Sequence, residues 1–123
     1  MADKIKVNVA VASTDGKVIN THFGRAKNFY IVQLDVGAES YEYIESRDVS
    51  PSCKDFDHSE HDFDAVAAAL SDCRYILVAK AGYGAISFME SKGITVLESG
   101  DFIEPAISKL IKYLRRLGKG VEC

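Results

Sequence analysis

The segment from Thr21 to Lys27 carries the side chains best suited to binding chemistry in this chain. It brings His22, Gly24, Arg25 and Lys27 together in one short link between two stretches with the pattern of strands. Imidazole binds transition metals readily, glycine lets a ligand approach the backbone, and the two cations balance negative charge. The combination predicts a site for a metal-containing anion, with His22 as the candidate for a direct ligand. The residues alone leave open the alternative that His22 only hydrogen-bonds a turn.

A second group of residues is expected to join this link at one edge of a sheet. A turn follows the first strand, and a glycine-rich loop follows a later strand and precedes a helix. Ligands tend to bind beyond the carboxyl ends of strands, and the free amide groups of a helix N-terminus attract anions. If the two strands are neighbours, the cofactor-binding residues that join His22, Gly24, Arg25 and Lys27 are Asp15, Lys80, Gly82, Tyr83 and Gly84.

A weaker metal site is suggested by Cys53, His58 and His61, because a loop thiolate and two imidazoles could meet a zinc or iron ion. No fourth ligand is evident, so a solvated acidic loop with incidental histidines is the alternative. The chain has three widely spaced cysteines and no Cys-x-x-Cys pair, which argues against a zinc ribbon and favours a reducing compartment. Cys73 is expected to be buried as a small apolar residue.

The apolar pattern predicts an α/β fold with a mixed five-stranded sheet, formed by an antiparallel meander and then αβαβα, with helices on both faces. The turn at 14–16 predicts a hairpin from the first strand to 17–19. The predicted strands are 5–12, 28–35, 41–45, 75–79 and 94–97, and the predicted helices begin near Ser59, at Ala85 and at Ile103, the last ending at Leu117. Residues 1–123 are expected to form a single domain, with about 118–123 as a flexible tail.

Composition limits the class of protein. The chain has 123 residues, 47% hydrophobic and 27% charged, which is typical of a soluble globular protein. No apolar run approaches the ~20 residues that span a membrane, and no export signal is visible, so a cytoplasmic location is expected. The net charge is −3, and the basic residues of the last helix are expected to face solvent. Neither nucleic acid nor a membrane is therefore expected as a partner. An exposed sheet edge leaves a homodimer open as well as a monomer.

Several stretches resemble the NifX/NafY family, which includes the carboxy-terminal domain of NifB. They are Val9 to Gly16, Val18 to Lys27 with its His-Phe-Gly sequence, Phe29 to Val32, Leu70 to Val78, Gly82 to Gly84 and Gly93 to Glu98. The resemblance implies a ribonuclease-H-like fold and a non-enzymatic binding or carrier protein without catalytic residues. It further implies that an iron–sulfur or iron–molybdenum cofactor, or its precursor cluster, is bound transiently. The implied partners are nitrogenase cofactor-assembly proteins or apo-dinitrogenase.

Two other functions remain open at this point. The chain could be the detached accessory domain of a NifB-type radical-SAM protein, although the radical-SAM cysteine signature is absent. It could also be a nucleotide-binding α/β domain, because Gly82-x-Gly84-x-x-Ser87 partly matches a dinucleotide fingerprint. The third glycine of that fingerprint is missing.

Overall fold

The computed structural model describes the backbone of residues 6–48 and 60–122, and the side chains of these ranges except 25, 60–62 and 117–122. Five strands and three α-helices follow one another along the chain, with one short 3-10 turn between the first two strands. They are β1 (Lys6–Ala12), the 3-10 turn (Phe23–Arg25), β2 (Asn28–Asp35), β3 (Ser40–Asp48), α1 (Glu60–Ala69), β4 (Tyr75–Val78), α2 (Tyr83–Ser91), β5 (Thr95–Glu98) and α3 (Ile103–Glu122).

The strands form one mixed sheet in the order β3-β2-β1-β4-β5. β1 to β3 are an antiparallel meander, whereas β1, β4 and β5 run parallel. The central strand β1 is buried on both sides, so its apolar run is nearly continuous over Val9 to Ala12. The predicted α/β architecture and its five-stranded mixed sheet are confirmed.

Helices cover both faces of the sheet, as predicted. α1 and α2 pack on one face, where Val66 and Met89 contact the side of the sheet that carries Ile31 and Ile76. Of the three described helices, α3 is the one that packs on the other face. Its buried residues follow helical spacing, because Ile107, Leu110 and Ile111 form a stripe towards the sheet, with Leu114 partly buried beside them. No helix in the described ranges has the length and apolar character that a membrane crossing needs.

The predicted hairpin from β1 to 17–19 is wrong. The partner of β1 is β2, and residues 17–19 instead join the segment before α3. The amide of Ile19 donates to the carbonyl of Asp101 at 3.0 Å, and the amide of Ile103 donates to the carbonyl of Lys17 at 2.8 Å. The reason lies in Asp15, whose carboxylate accepts two backbone amides beyond the turn and directs the chain away from β1.

The helix ends differ from expectation by a few residues. α2 begins at Tyr83, two residues earlier than predicted, and α3 extends to Glu122 rather than ending at Leu117. The predicted start of α1 near Ser59 lies outside the described residues, as does Cys123. The flexible tail and the assignment of the whole chain to one domain stay predictions.

Candidate functional site

The site lies at the edge of the sheet where the parallel strands end. β1 and β4 are neighbouring parallel strands, so the segments that follow Ala12 and Val78 emerge side by side. From this edge the chain leaves β1 towards β2 on one side, and leaves β4 towards β5 on the other. Such a reversal of strand order leaves a crevice that commonly binds ligands in α/β sheets.

The backbones of His22 and Lys80 pair at this edge. They form a parallel bridge beyond the ends of the strands. Two backbone hydrogen bonds hold it, from the amide of Ala79 to the carbonyl of Thr21 at 3.0 Å and from the amide of Phe23 to the carbonyl of Lys80 at 2.8 Å. Both side chains are exposed beside this backbone contact.

Buried neighbours fix the position of the loop. Phe23 and Ala26 are almost fully buried, and the ring of Phe23 packs edge-to-face on Phe63 of α1 with centroids 5.9 Å apart. The chain between them makes the 3-10 turn, in which Gly24 is exposed. Lys27 follows the turn and is also exposed. The side chain of Arg25 lies outside the described residues, so its predicted role stays a prediction.

The N-terminus of α2 borders the bridge. Gly82 caps the helix with an extended backbone and has no side chain of its own to bond the first amides. Tyr83 is 84% exposed, and Gly84 has open space around it. The free amides of a first helical turn favour an anion. The residues expected from the glycine-rich loop therefore lie beside His22 and Lys80 in the structure.

Glu98 is a residue of this edge that sequence reasoning missed. Its carboxylate accepts the amide of Ala81 at 2.9 Å, immediately before α2. The contact joins the end of β5 to the loop that carries Lys80. The Glu98 carboxylate repels other anions nearby, which limits how tightly the helix N-terminus binds a negative ligand. Residues 81 and 98 are far apart in sequence, and no local pattern marks their contact.

Asp15 shapes its own turn. Its carboxylate accepts the amides of Lys17 at 2.9 Å and Val18 at 3.1 Å, and the hydroxyl of Ser13 at 3.1 Å. The hydrogen bond from the Lys17 amide, followed by that from Val18, lowers the pKa of the Asp15 carboxyl below its ordinary value. The next residue, Gly16, has a φ of 76°, which favours glycine. The geometry thus gives Asp15 a structural task, and a role in cofactor binding stays a prediction.

No cluster of three or more His, Cys, Asp or Glu side chains suited to a metal ion occurs in the described part of the chain. Of the weaker metal candidates, Cys53 and His58 lie outside the described residues, and so does the side chain of His61. Cys73 is buried as predicted, and burial raises the pKa of its thiol to about 12. Within the described residues His22 is therefore not part of a complete metal site, and its role as a ligand stays a prediction.

The edge described above occurs in a chain with clear relatives. The FeMo cofactor biosynthesis protein NifB of Chlorobaculum tepidum is 35% identical over 105 residues, and that of Frankia alni is 34% identical over 107 residues. Each alignment covers 85% of this chain but only 24% and 21% of the respective relative, so the chain spans less than a quarter of their length.

Solved structures share the fold. The structure of PH0822 superposes with a TM-score of 0.64 at 23% identity, covering 87% of this chain and 91% of that one. The apo form of the orange protein from Desulfovibrio gigas superposes with a TM-score of 0.54 at 18% identity, covering 86% and 88%. A family model described as dinitrogenase iron-molybdenum cofactor matches residues 5–113, nearly the whole described sheet and its helices. By this match and by its NifB relatives, the chain belongs to the dinitrogenase iron–molybdenum cofactor family.

Proposed function

We propose that this chain is a non-enzymatic binding and carrier protein in nitrogenase cofactor biosynthesis. Its cargo is an iron–sulfur or iron–molybdenum cluster, or the precursor of that cofactor, and it exchanges this cargo with cofactor-assembly proteins or apo-dinitrogenase. Family membership supports the biosynthetic context. The bridge between His22 and Lys80 is the observation on which the carrier role rests. The ribonuclease-H-like assignment of the fold is likewise a proposal.

In this proposal His22 supplies the one direct ligand. Lys80 and Lys27, both exposed, balance the negative charge of the cluster together with Arg25. The amides at the start of α2 add partial positive charge, while the carboxylate of Glu98 weakens the total attraction. A single imidazole ligand with exposed cations around it binds the cluster reversibly, and a carrier must release its cargo.

A second function has specific support. The match to less than a quarter of NifB is the observation expected if this chain is an accessory domain of a NifB-type protein. In that case the domain would receive the cluster made by the larger protein. The same His22 edge would bind the cluster, so the two proposals differ in the partner and not in the site.

The test is an anaerobic titration with isolated iron–molybdenum cofactor and, separately, with a synthetic four-iron cluster. Visible absorption and the iron retained after gel filtration report binding. His22→Ala is expected to weaken binding about tenfold or more, since even indirect supports of metal sites cost that much. Lys80→Met is expected to weaken it less and to reduce its dependence on salt. Lys112→Met, which removes an exposed lysine of α3, is the charge-matched control.

Two results would contradict the proposal. The first is full cluster retention by His22→Ala, with the Lys80 and Lys112 variants equal to each other. The second is tight binding of ATP or NAD without uptake of either cluster, which would support a nucleotide-binding domain instead.

A further inference from the structure

Among the residues that the structure describes, a groove remains open on the face of the sheet that α3 covers. A single helix about 10 Å wide cannot cover five strands spaced about 4.8 Å apart. The uncovered part lies over β2 and β3, beside the start of α3, and encloses about 650 Å³. This volume is in the range of pockets that bind other molecules. We refer to it as the tyrosine groove, and it is lined chiefly by Tyr30, Tyr41, Tyr43 and Phe102, with Lys17 and Glu104 at its rim.

The aromatic rings that line the groove are exposed rather than packed into the core. The rings of Tyr30 and Tyr43 contact at 6.0 Å between centroids. Tyr43 is nonetheless 56% exposed and Phe102 is 59% exposed. Burial and then the neighbouring Glu104 carboxylate, to which it is hydrogen-bonded, raise the pKa of Tyr41, so its hydroxyl stays a neutral donor. Exposed aromatic rings arranged in a concavity are typical of protein recognition surfaces.

β3 forms the side wall of the groove and is an edge strand of the described sheet. Its two faces have different chemistry. Tyr41 and Tyr43 pair with Leu34 and Val32 and so face the groove. A bulge at Ile44 shifts the register, so that Glu45 joins Glu42 on the opposite face. Every residue from Ser40 to Ser46 is exposed.

We propose that β3 and the tyrosine groove bind an extended segment of a partner protein in which apolar and basic residues alternate. The segment adds a strand beside β3, and strand addition supplies backbone hydrogen bonds. Its apolar side chains lie against Tyr41 and Tyr43, while a lysine or arginine side chain faces Glu42, since the Glu45 carboxylate is already paired with Arg47. Alternation is required because neighbouring residues of a strand point to opposite faces. The proposal does not depend on cluster binding.

Charge decides between this partner and a second copy of the chain. Antiparallel pairing of two β3 strands centred on Glu42 would place the two Glu42 carboxylates opposite each other, and like charges directly opposite are destabilising. The cation of this strand, Arg47, is already engaged with Glu45 and Asp72. Acidic residues and bulges protect an edge strand against its own kind. A basic strand meets no such repulsion.

The test uses the full cluster-free chain and two fluorescent peptides of equal length, one alternating valine with lysine and the other alternating valine with glutamate. Fluorescence anisotropy measures binding at low salt. The lysine peptide is expected to bind at least tenfold more tightly than the glutamate peptide. Glu42→Lys and Tyr43→Ala are each expected to weaken it about fivefold. Glu90→Lys changes the charge equally on the exposed side of α2 and is the control, expected to lose less than twofold.

Hydrogen exchange locates the contact, since strand addition slows exchange of the β3 amides between Ser40 and Asp48. Three results would overturn the proposal. One is equal weakening by Glu42→Lys and Glu90→Lys, which would indicate long-range attraction only. Another is peptide binding without protection of β3. The last is a dimer in sedimentation that Glu42→Lys disrupts, which would make a second copy the occupant.

Discussion

Phe23 is predicted to anchor the loop that carries His22. Its side chain is 5% exposed, and its ring meets that of Phe63 edge-to-face. Truncation of a buried phenylalanine to alanine costs about 3–4 kcal/mol, to which the lost aromatic pair contributes about 1 kcal/mol. We therefore expect Phe23→Ala to lower the free energy of unfolding by about 3 kcal/mol, a large part of the stability of an ordinary domain.

Urea unfolding followed by far-ultraviolet circular dichroism measures this loss. Tryptophan fluorescence is not an option, because the chain has no tryptophan. With a slope of about 1.5 kcal/mol per molar urea, the midpoint should fall by about 2 M. Phe102→Ala is the matched control, because that ring is 59% exposed and should cost less than about 1 kcal/mol. Phe23→Leu, expected to lose about 1.5 kcal/mol or less, serves if the alanine variant does not fold. Equal midpoints for Phe23→Ala and Phe102→Ala would refute the anchoring role.

Three further predictions concern other parts of the molecule. The guanidinium of Arg47 hydrogen-bonds the Asp72 carboxylate and lowers its pKa from 3.8 to about 2, so this contact stabilises the fold above pH 3.8 and is lost as the pH falls towards 2. Because the Asp72 side chain is half exposed, loss of this contact should lower the free energy of unfolding, measured by urea titration, by less than about 1 kcal/mol. Asp72→Asn should remove the pH dependence. With the other two cysteines replaced by serine, Cys73 should react with a thiol reagent at pH 8 only after denaturation, because its pKa is raised to about 12; rapid reaction of the folded chain would contradict this. Gly93→Ala should cost about 1 kcal/mol of unfolding free energy because φ there is 85°, whereas Gly100→Ala, with equally open space and no positive φ, should be near neutral.

The sequence predicts the regular elements well where apolar spacing is strong. β2 matches its expected bounds of 28–35, because β-branched and aromatic residues follow one another there. The face of α1 follows from Val66, Ala67 and Leu70, which recur at helical spacing and are buried. The meeting of the segments after β1 and β4 was predicted only on the condition that these strands are neighbours, which they are.

Two kinds of contact explain what the sequence could not predict: a choice among local hydrogen bonds, and contacts between residues far apart in the chain. The turn at 14–16 suits both a hairpin and the turn observed, and the choice depends on which backbone amides the Asp15 carboxylate accepts. Ile19 is 1% exposed because it packs against the α3 side of the sheet, a contact no local pattern reveals. The bulge at Ile44 and the contact of Glu98 with Ala81 arise in the same way.

Among the described residues, the hydrogen bonds that position residue 22 come from the main chain of residues 21, 23, 79 and 80. The fold therefore holds this position whatever side chain occupies it. Exchange of His22 for cysteine, aspartate or asparagine would alter the donor atom without rebuilding the scaffold. Under the proposed function, a single codon change at this position would alter the ligand offered to the cluster while the sheet beneath stays intact.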